Sequence, residues 1–498
     1  MDAQQQGSAP RAANRNTGRA VARTPGFALV FGIALALLSG LPFLVAVHPQ
    51  LTDYASHLAR YHVMLDGGHS PYLARYYDFE WRWNGNLGAD LLMWPLGRLL
   101  GVETAGWLMG FVLPPLTGFG LLTVEWVLRR RIGIGSLLAF ALIWSPAMGM
   151  GFYNFCLALA LALFAFAAWV RLETWRWRWL VFLPAGAIVW LCHVAGWGVL
   201  GVLVFGYEWQ RRKSASAFLA PWPLALPILP LLLAGGAKGG LSYGRDVVFY
   251  KIGIWLKAMR EQSMQLDLAS LAILAGVLLV ALLARRIDGR LGWAALIFAV
   301  LTIVMPRHLG GGDYADWRLI AVALMIGCLA IDWPAPRWVL LAASALFLVR
   351  LGVTSVSWHE QSRELEVALE ALDQVPRGAR VAGAVVVEAS HWGINPFEHA
   401  PSYATVRRDA LVNSHFAVPG IHMLRLKEGG KGFVDPSQRI YRLPGEPIDL
   451  AAFVPAHHAD YLWYFGKEKP ARMPKGAQVL FRTPNSFLAR LANPHAPR

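Results

Sequence analysis

Cysteine is nearly absent: 498 residues contain three, Cys156, Cys192 and Cys328, all inside apolar stretches. They supply no disulfide framework and no cysteine-based zinc site, and redox chemistry at paired thiols is excluded. Charge is also scarce, at 15% against about 25% in soluble globular chains, while 56% of residues are hydrophobic against about 45–50%. Acidic residues are the scarcer charged type: 31 Asp and Glu against 46 Lys and Arg leave a net charge of +15. Clustered on a soluble face, such a surplus would point to nucleic acid. Residues 354–498, however, hold 17 basic and 14 acidic residues, so nearly all of the surplus belongs to the hydrophobic part. A nucleic-acid partner is therefore not expected, and the charge calls for a membrane explanation.

What is present is a series of apolar runs. A membrane helix needs about 20 mainly apolar residues, and candidates lie at 26–47, 104–128, 134–149, 152–170, 179–192, 194–209, 216–234, 267–284, 290–304, 318–332 and 337–353. This predicts an α-helical polytopic membrane protein with about eleven transmembrane helices. Residues 1–25 read as a disordered basic cytoplasmic tail, and the first apolar run as a retained helix, being too long for a signal-peptide core. With the N-terminus inside, the inner loops collect Arg129 to Arg131, Arg171, Arg176, Arg178, Arg211, Arg212, Lys213, Arg285, Arg286, Arg290 and Arg337, as the positive-inside rule requires. The same pattern keeps 87–101 from being a crossing and makes it an interfacial helix, apolar on one face with its polar residues toward water. It also favours two helices turning near His193 over one long helix at 179–209.

An odd number of spans places residues 354–498 outside the cytoplasmic membrane, as a small C-terminal α/β domain on the periplasmic or extracellular side. A helix is expected over Ser362–Leu372 and strands over Arg380–Glu388, Tyr461–Phe465 and Gln478–Phe481. The histidines there, His391, His399, His415 and His422, lack zinc-motif spacing. Composition is compatible with a bacterial inner membrane.

The outer side holds the uncommon chemistry. The outer loop 48–103 begins Thr52-Asp53-Tyr54-Ala55-Ser56-His57-Leu58-Ala59-Arg60, which places Asp53, His57 and Arg60 on one helical face. It reads either as a capped, solvated helix or as a binding site. The loop Arg307-His308-Leu309-Gly310-Gly311-Gly312-Asp313-Tyr314-Ala315-Asp316-Trp317-Arg318 joins glycines that let backbone N–H groups approach an anion with two arginines suited to phosphate. Its alternative reading is a turn whose Arg and Asp residues pair with each other. His193 and Asn154 are further binding candidates at the same membrane face. No cofactor is required, although Asp53, His57, Asp313 and Asp316 carry donors that suit a divalent metal ion.

The basic N-terminus, one helix, the outer loop opening Thr52-Asp53-Tyr54, and the segment Asn84-Gly85-Asn86-Leu87-Gly88-Ala89-Asp90-Leu91-Leu92-Met93-Trp94-Pro95-Leu96 together resemble the GT-C membrane glycosyltransferases. Among these are the protein O-mannosyltransferases and the lipid A aminoarabinose transferases. Pro95-Leu96 stands where those enzymes have Pro-Pro-Leu, and Tyr54 follows Asp53 where they commonly have a second acidic residue. The resemblance implies a transmembrane bundle at 26–353 and transfer of a sugar from a polyprenyl-phosphate donor to an envelope glycan, lipid or protein at the outer face. Asp53 would be the general base and Arg307 and Arg318 would hold the lipid phosphate. His57, Arg60, Asn154, His193, His308, Asp313 and Asp316 would complete the substrate site, with Asp313 or Asp316 as the second acid. A non-catalytic scaffold or inactive relative in polysaccharide assembly and a lipid or sugar transporter remain the alternatives.

Overall fold

The computed structural model describes residues 26–229, 240–310, 312–388, 390–417, 422–427 and 432–492. The expected tail 1–25 and the end of the expected span 216–234 lie outside these, as does Gly311 of the glycine loop. The chain is mainly helical, with one substantial sheet near its C-terminus.

Four described helices are long and apolar enough to cross a membrane: Val102–Arg129, Tyr153–Arg171, Met264–Leu283 and Arg337–Gln374, the last including a terminal 3-10 turn. Shorter apolar helices accompany them. The first expected span is two helices, α1 (Phe27–Leu38) and α2 (Leu41–Val45). They meet at Gly40, where a Cβ would stand 2.7 Å from the Phe111 ring. Only glycine lets the neighbouring helix approach that closely.

Residues 48–103, the expected outer loop, form an ordered layer. It comprises α3 (Tyr54–Asp66), α4 (Pro71–Tyr76), β1 (Tyr77–Phe79) and α5 (Gly88–Leu100), leading into α6 (Val102–Arg129). The expected helix at 87–101 is present as α5, but Asp90 is fully buried while Leu91, Leu92, Leu99 and Leu100 are exposed. Its polar face is thus corrected: Asp90 turns inward because the guanidinium of Arg60, buried on α3, needs a counter-charge.

Residues 134–149 form two short helices, α7 (Ile134–Ala139) and α8 (Pro146–Gly149), before α9 (Tyr153–Arg171). The expected break at His193 is found: α10 (Trp179–Cys192) ends there and α11 (Val194–Arg212) begins. The expected helix at 216–234 does not begin at residue 216; within its described part only residues 228–229 are α-helical. Residues 215–225 form 3-10 turns instead, since Pro221, Pro223 and Pro227 remove donors that an α-helix needs. The bundle continues with α12 (Val247–Leu256), α13 (Met264–Leu283), α14 (Gly289–Val304), α15 (Ala315–Leu329) and α16 (Arg337–Leu369). A two-residue ladder between β2 (Leu241–Ser242) and β3 (His308–Leu309) joins the loops before α12 and α15.

Helix α16 runs unbroken through residue 354, so bundle and tail share one helix and the expected separate helix at 362–372 is mostly its continuation. The tail sheet is built on β4 (Arg380–Glu388), parallel to β5 (Leu411–Val412), β7 (Arg439–Arg442) and β8 (Tyr461–Phe465). It extends from β8 through β10 (Ser486–Arg490) to β9 (Gln478–Arg482), all antiparallel. Strand β8 buries every side chain and β4 the run Val381–Val385, as the centre of a sheet covered on both faces does.

The outer loop docks onto this domain. Strand β1 pairs antiparallel with β6 (Leu424–Leu426). Tyr76 Oη donates to the Gly378 carbonyl at 2.8 Å, and Ser362 Oγ accepts from the His48 N–H at 3.0 Å. Helix α3 packs beside the short α17 (Tyr403–Arg408). Loop, tail and the adjoining bundle end therefore form one surface, and the candidate site lies where the three meet.

Candidate functional site

Asp53 occupies the N-cap position of α3, but its side chain makes no capping hydrogen bond. Its main chain is pinned instead: its N–H donates to the Met150 carbonyl at 3.0 Å, and its carbonyl accepts from the His57 N–H at 3.0 Å. A rigid backbone with an uncommitted carboxylate suits a group that acts on a ligand. Gly151 holds the adjoining turn at φ +85°, where its missing Cβ would come 3.6 Å from that of Asp53.

Three charged segments surround this carboxylate. From the tail come Glu398, His399, Asp435 and Arg439, and His399 Nε2 stands 3.8 Å from Asp53 Oδ1. From the bundle comes Arg318, near the start of α15, whose charge acts directly on Asp53. Burial raises the Asp53 acid well above its ordinary value; the Glu398 and Asp435 carboxylates add to this, and Arg439 and Arg318 oppose it. Burial likewise raises Glu398 and Asp435 and lowers His399.

Arg318 is the cation best placed for an anionic ligand. Its guanidinium lies 4.3 Å from the centre of the Phe152 ring, and its Nε, buried, has no acceptor among the described residues. Nη1 is 3.2 Å from His193 Nε2. His193 Nδ1, however, accepts from the Ala195 N–H at 3.0 Å, capping α11. A neutral imidazole that accepts at Nδ1 carries its proton on Nε2, so Nε2 offers Arg318 no lone pair. Among the described residues Arg318 has no ion-paired carboxylate. It is a cation with donors to spare, next to a carboxylate with acceptors to spare.

The other expected residues are otherwise engaged. Arg307 pairs with Asp313 at 3.0 Å, with His308 Nδ1 3.1 Å from the same carboxylate, so the loop adopts the internally paired alternative. Asp316 is fully buried and accepts from Lys251 Nζ at 2.5 Å and Tyr250 Oη at 3.1 Å. It therefore anchors α12 to α15, not a ligand. Arg60 is bound to Asp90. Asn154 uses both ends of its amide on α5, accepting from the Ala89 N–H at 2.5 Å and donating to the Asn86 carbonyl at 2.9 Å. The polar ends of Asp316, Arg60 and Asn154 are thus taken up by protein partners. His57 is stacked between Tyr61 and Tyr153 with Phe416 edge-on, and burial holds it well below its ordinary pKa.

Neither Asp313 nor Asp316 supplies the second acid next to Asp53. That place is taken by Glu398 and Asp435, which sequence reasoning missed along with Arg439. The available signal was Asn395-Pro396-Phe397-Glu398-His399 in the connection that follows β4. Loops at the carboxyl ends of parallel strands are where ligand groups gather. Among the described residues, no group of three His, Cys, Asp or Glu side chains is arranged to hold a metal ion.

A helical bundle, an ordered segment at 48–103 carrying an uncapped aspartate, and a C-terminal sheet packed beside it are an arrangement also found among solved structures. The crystal structure of ArnT from Cupriavidus metallidurans bound to undecaprenyl phosphate has this fold, matching with a TM-score of 0.51 and 12% identity over 94% of this chain and 99% of that one. The apo form of the same protein matches with a TM-score of 0.49 and 12% identity over 93% and 97%. At this identity the likeness is one of fold. No protein-family model matches the chain, and no curated protein matches it in sequence.

Proposed function

We propose that the protein transfers a sugar from a polyprenyl-phosphate donor to an envelope acceptor at the outer face of the bacterial inner membrane. On this reading it makes about eleven crossings with the N-terminus inside, and the sheet domain at 354–498 is periplasmic. The observation that supports the proposal is a pair of available functions: the uncapped carboxylate of Asp53 and, within electrostatic reach of it, the Arg318 guanidinium, whose buried Nε has no acceptor among the described residues. Undecaprenyl phosphate, bound by ArnT in a similar fold, is the class of carrier lipid such a cation would hold.

In this reading Asp53 takes the proton of the acceptor hydroxyl as its oxygen attacks the sugar C1. The C1–O bond to the phosphate breaks, and Arg318 stabilises the charge that develops on the departing lipid phosphate. A guanidinium fork matches a phosphate oxygen pair better than an ammonium would. His193 holds the turn against which Arg318 rests. Arg307, His308 and Asp313 lie at the rim, where their mutual pairing leaves them a lesser part.

The test is transfer by purified protein in liposomes supplied with labelled undecaprenyl-phosphate sugars and envelope glycan or lipid acceptors. The Asp53→Asn variant is expected to fold, insert and bind donor, yet lose transfer by at least about 10²-fold. Wild-type turnover by that variant removes Asp53 as the base. Movement of donor across the bilayer without covalent transfer replaces the enzyme by a transporter.

A further inference from the structure

Outside the groups already given a part in transfer lies a buried polar cluster centred on His399, between the outer loop and the tail. His399 is 1% exposed. Its Nδ1 is 2.7 Å from the Ser414 carbonyl, 2.7 Å from Ser56 Oγ and 3.7 Å from Asp435 Oδ1. The Ser56 and Ser402 hydroxyls both donate to the same Ser414 carbonyl. The Gln438 amide, 3.5 Å from Nδ1, satisfies its nitrogen on the Pro436 and Asn413 carbonyls and so turns its oxygen to the ring; every group facing Nδ1 therefore accepts, because the carbonyls and the carboxylate have no proton and the Ser56 proton is committed elsewhere. The imidazole proton belongs on Nδ1, leaving the Nε2 lone pair free. That lone pair faces Asp53, 3.8 Å away.

A structural histidine buried in a polar cluster needs only one nitrogen satisfied. Here the second nitrogen faces Asp53, a largely buried carboxylate that makes no capping hydrogen bond. We propose that His399 is a positioning residue that fixes Asp53 and relieves it of its proton, with Asp435 behind it, forming an Asp53–His399–Asp435 relay. The inference rests on the transferase reading and assigns a residue that the resemblance did not supply.

The step balances. The acceptor O–H bond breaks as its oxygen forms the bond to C1, and the C1–O bond to phosphate breaks with its electron pair leaving on the phosphate. The proton passes to Asp53 and on to His399 Nε2, giving an imidazolium whose Nδ1–H lies toward Asp435 and the Ser414 carbonyl. The 3.8 Å gap exceeds a hydrogen bond, and a closure of about 0.6 Å on substrate binding brings it within the roughly 3.2 Å that proton transfer needs. The charged groups facing His399 divide by sign. Asp435 favours the imidazolium and Arg439 opposes it, an ionised Asp53 3.8 Å from Nε2 has the sign to favour it, and burial disfavours charge on the neighbouring His57 and His415.

Two substitutions separate relay from packing. His399→Asn keeps an amide near Nδ1 that can donate to the Ser414 carbonyl but has nothing at Nε2, whereas His399→Gln places an amide near Nε2. The relay predicts that His399→Asn lowers kcat about 10²-fold with KM unchanged and alters the acidic limb of the pH profile, while the purified variant keeps its melting temperature. Wild-type kcat and pH profile in His399→Asn overturn the relay and leave the transferase standing. If both variants fail to fold, the decision falls to the wild-type protein labelled with 15N-histidine. There, Asp53→Asn is expected to change the titration of His399 Nε2, and an unchanged titration overturns the coupling. Coupling seen without any transfer activity in wild type defeats the transferase reading instead.

Discussion

Arg60 on α3 and Asp90 on α5 form a two-pronged ion pair that is almost wholly buried. It joins the helix that opens with Asp53 to the helix that leads into the bundle, so the position of the candidate base depends on it. Breaking a buried pair from one side leaves an uncompensated charge and costs about 3–5 kcal/mol. Asp90→Ala is accordingly expected to lower the unfolding midpoint sharply, while the double variant Arg60→Met with Asp90→Leu recovers most of the loss. Denaturation of the purified variants in detergent checks this. Equal losses in the single and double variants would show that the pair does not act as a unit.

Arg318 and Arg307 belong to one loop-helix segment, yet among the described residues only Arg307 is ion-paired to a carboxylate. A hydrogen bond to a charged group contributes about 1.5–3 kcal/mol, or roughly 10- to 100-fold in affinity. Arg318→Ala is expected to weaken binding of undecaprenyl phosphate by that factor. Arg307→Ala should weaken it less than about 3-fold, because Arg307 must first leave Asp313. A larger loss in Arg307→Ala than in Arg318→Ala would move the phosphate to the glycine loop.

The charges around Asp53 also set a pH dependence. A general base acts only when ionised, so kcat/KM should rise with pH through the ionisation of Asp53, at a midpoint above the usual carboxylate value of about 4. Burial is the main cause of that elevation, and Glu398 is the largest charge contribution. Glu398→Gln removes a negative neighbour and frees Arg439 from its partner, and both changes favour the Asp53 carboxylate. The acidic limb of the profile should therefore move to lower pH. An unmoved or alkaline-shifted limb would show that a different group controls it.

Much of the helical bundle was legible in the sequence because long apolar runs mark apolar helices. The break at His193 followed from the arginine placement, and β4, β8 and β9 from β-branched and aromatic runs. Asp90 was misplaced because the pattern of α5 shows that it has two faces but not which face meets Arg60. Asp53 and Arg318 stood out as charges in an apolar chain. Glu398, His399, Asp435 and Arg439 did not, since the tail is ordinary in charge and long-range contacts such as the pairing of β1 with β6 bring it to the 48–103 segment. Local spacing carries no information about that long-range pairing.

Asp409 is the electrostatic hinge of this docking, and its effect should be visible in acid. Its carboxylate receives His62 Nε2 from α3 at 2.9 Å, Ser70 Oγ from the cap of α4 at 2.9 Å, and the Arg377 guanidinium. Burial works to raise Asp409, but the hydrogen bonds from His62, Arg377 and Ser70 outweigh it and hold the acid at about 2. A folded-state value depressed below the unfolded value of about 3.9 stabilises the fold at higher pH, and that stability is lost as pH falls from about 4 toward 2. The informative substitution is Asp409→Asn, because the residue sits at φ 51°. Asparagine tolerates that left-handed backbone, whereas alanine would add strain of its own. Loss of the charge-assisted hydrogen bonds should cost about 1–3 kcal/mol at neutral pH, with the gap to wild type closing as pH falls through the same window. Melting curves across that range decide it: a gap that stays constant down to the lowest pH would mean that the carboxylate charge does not hold the outer loop to the tail.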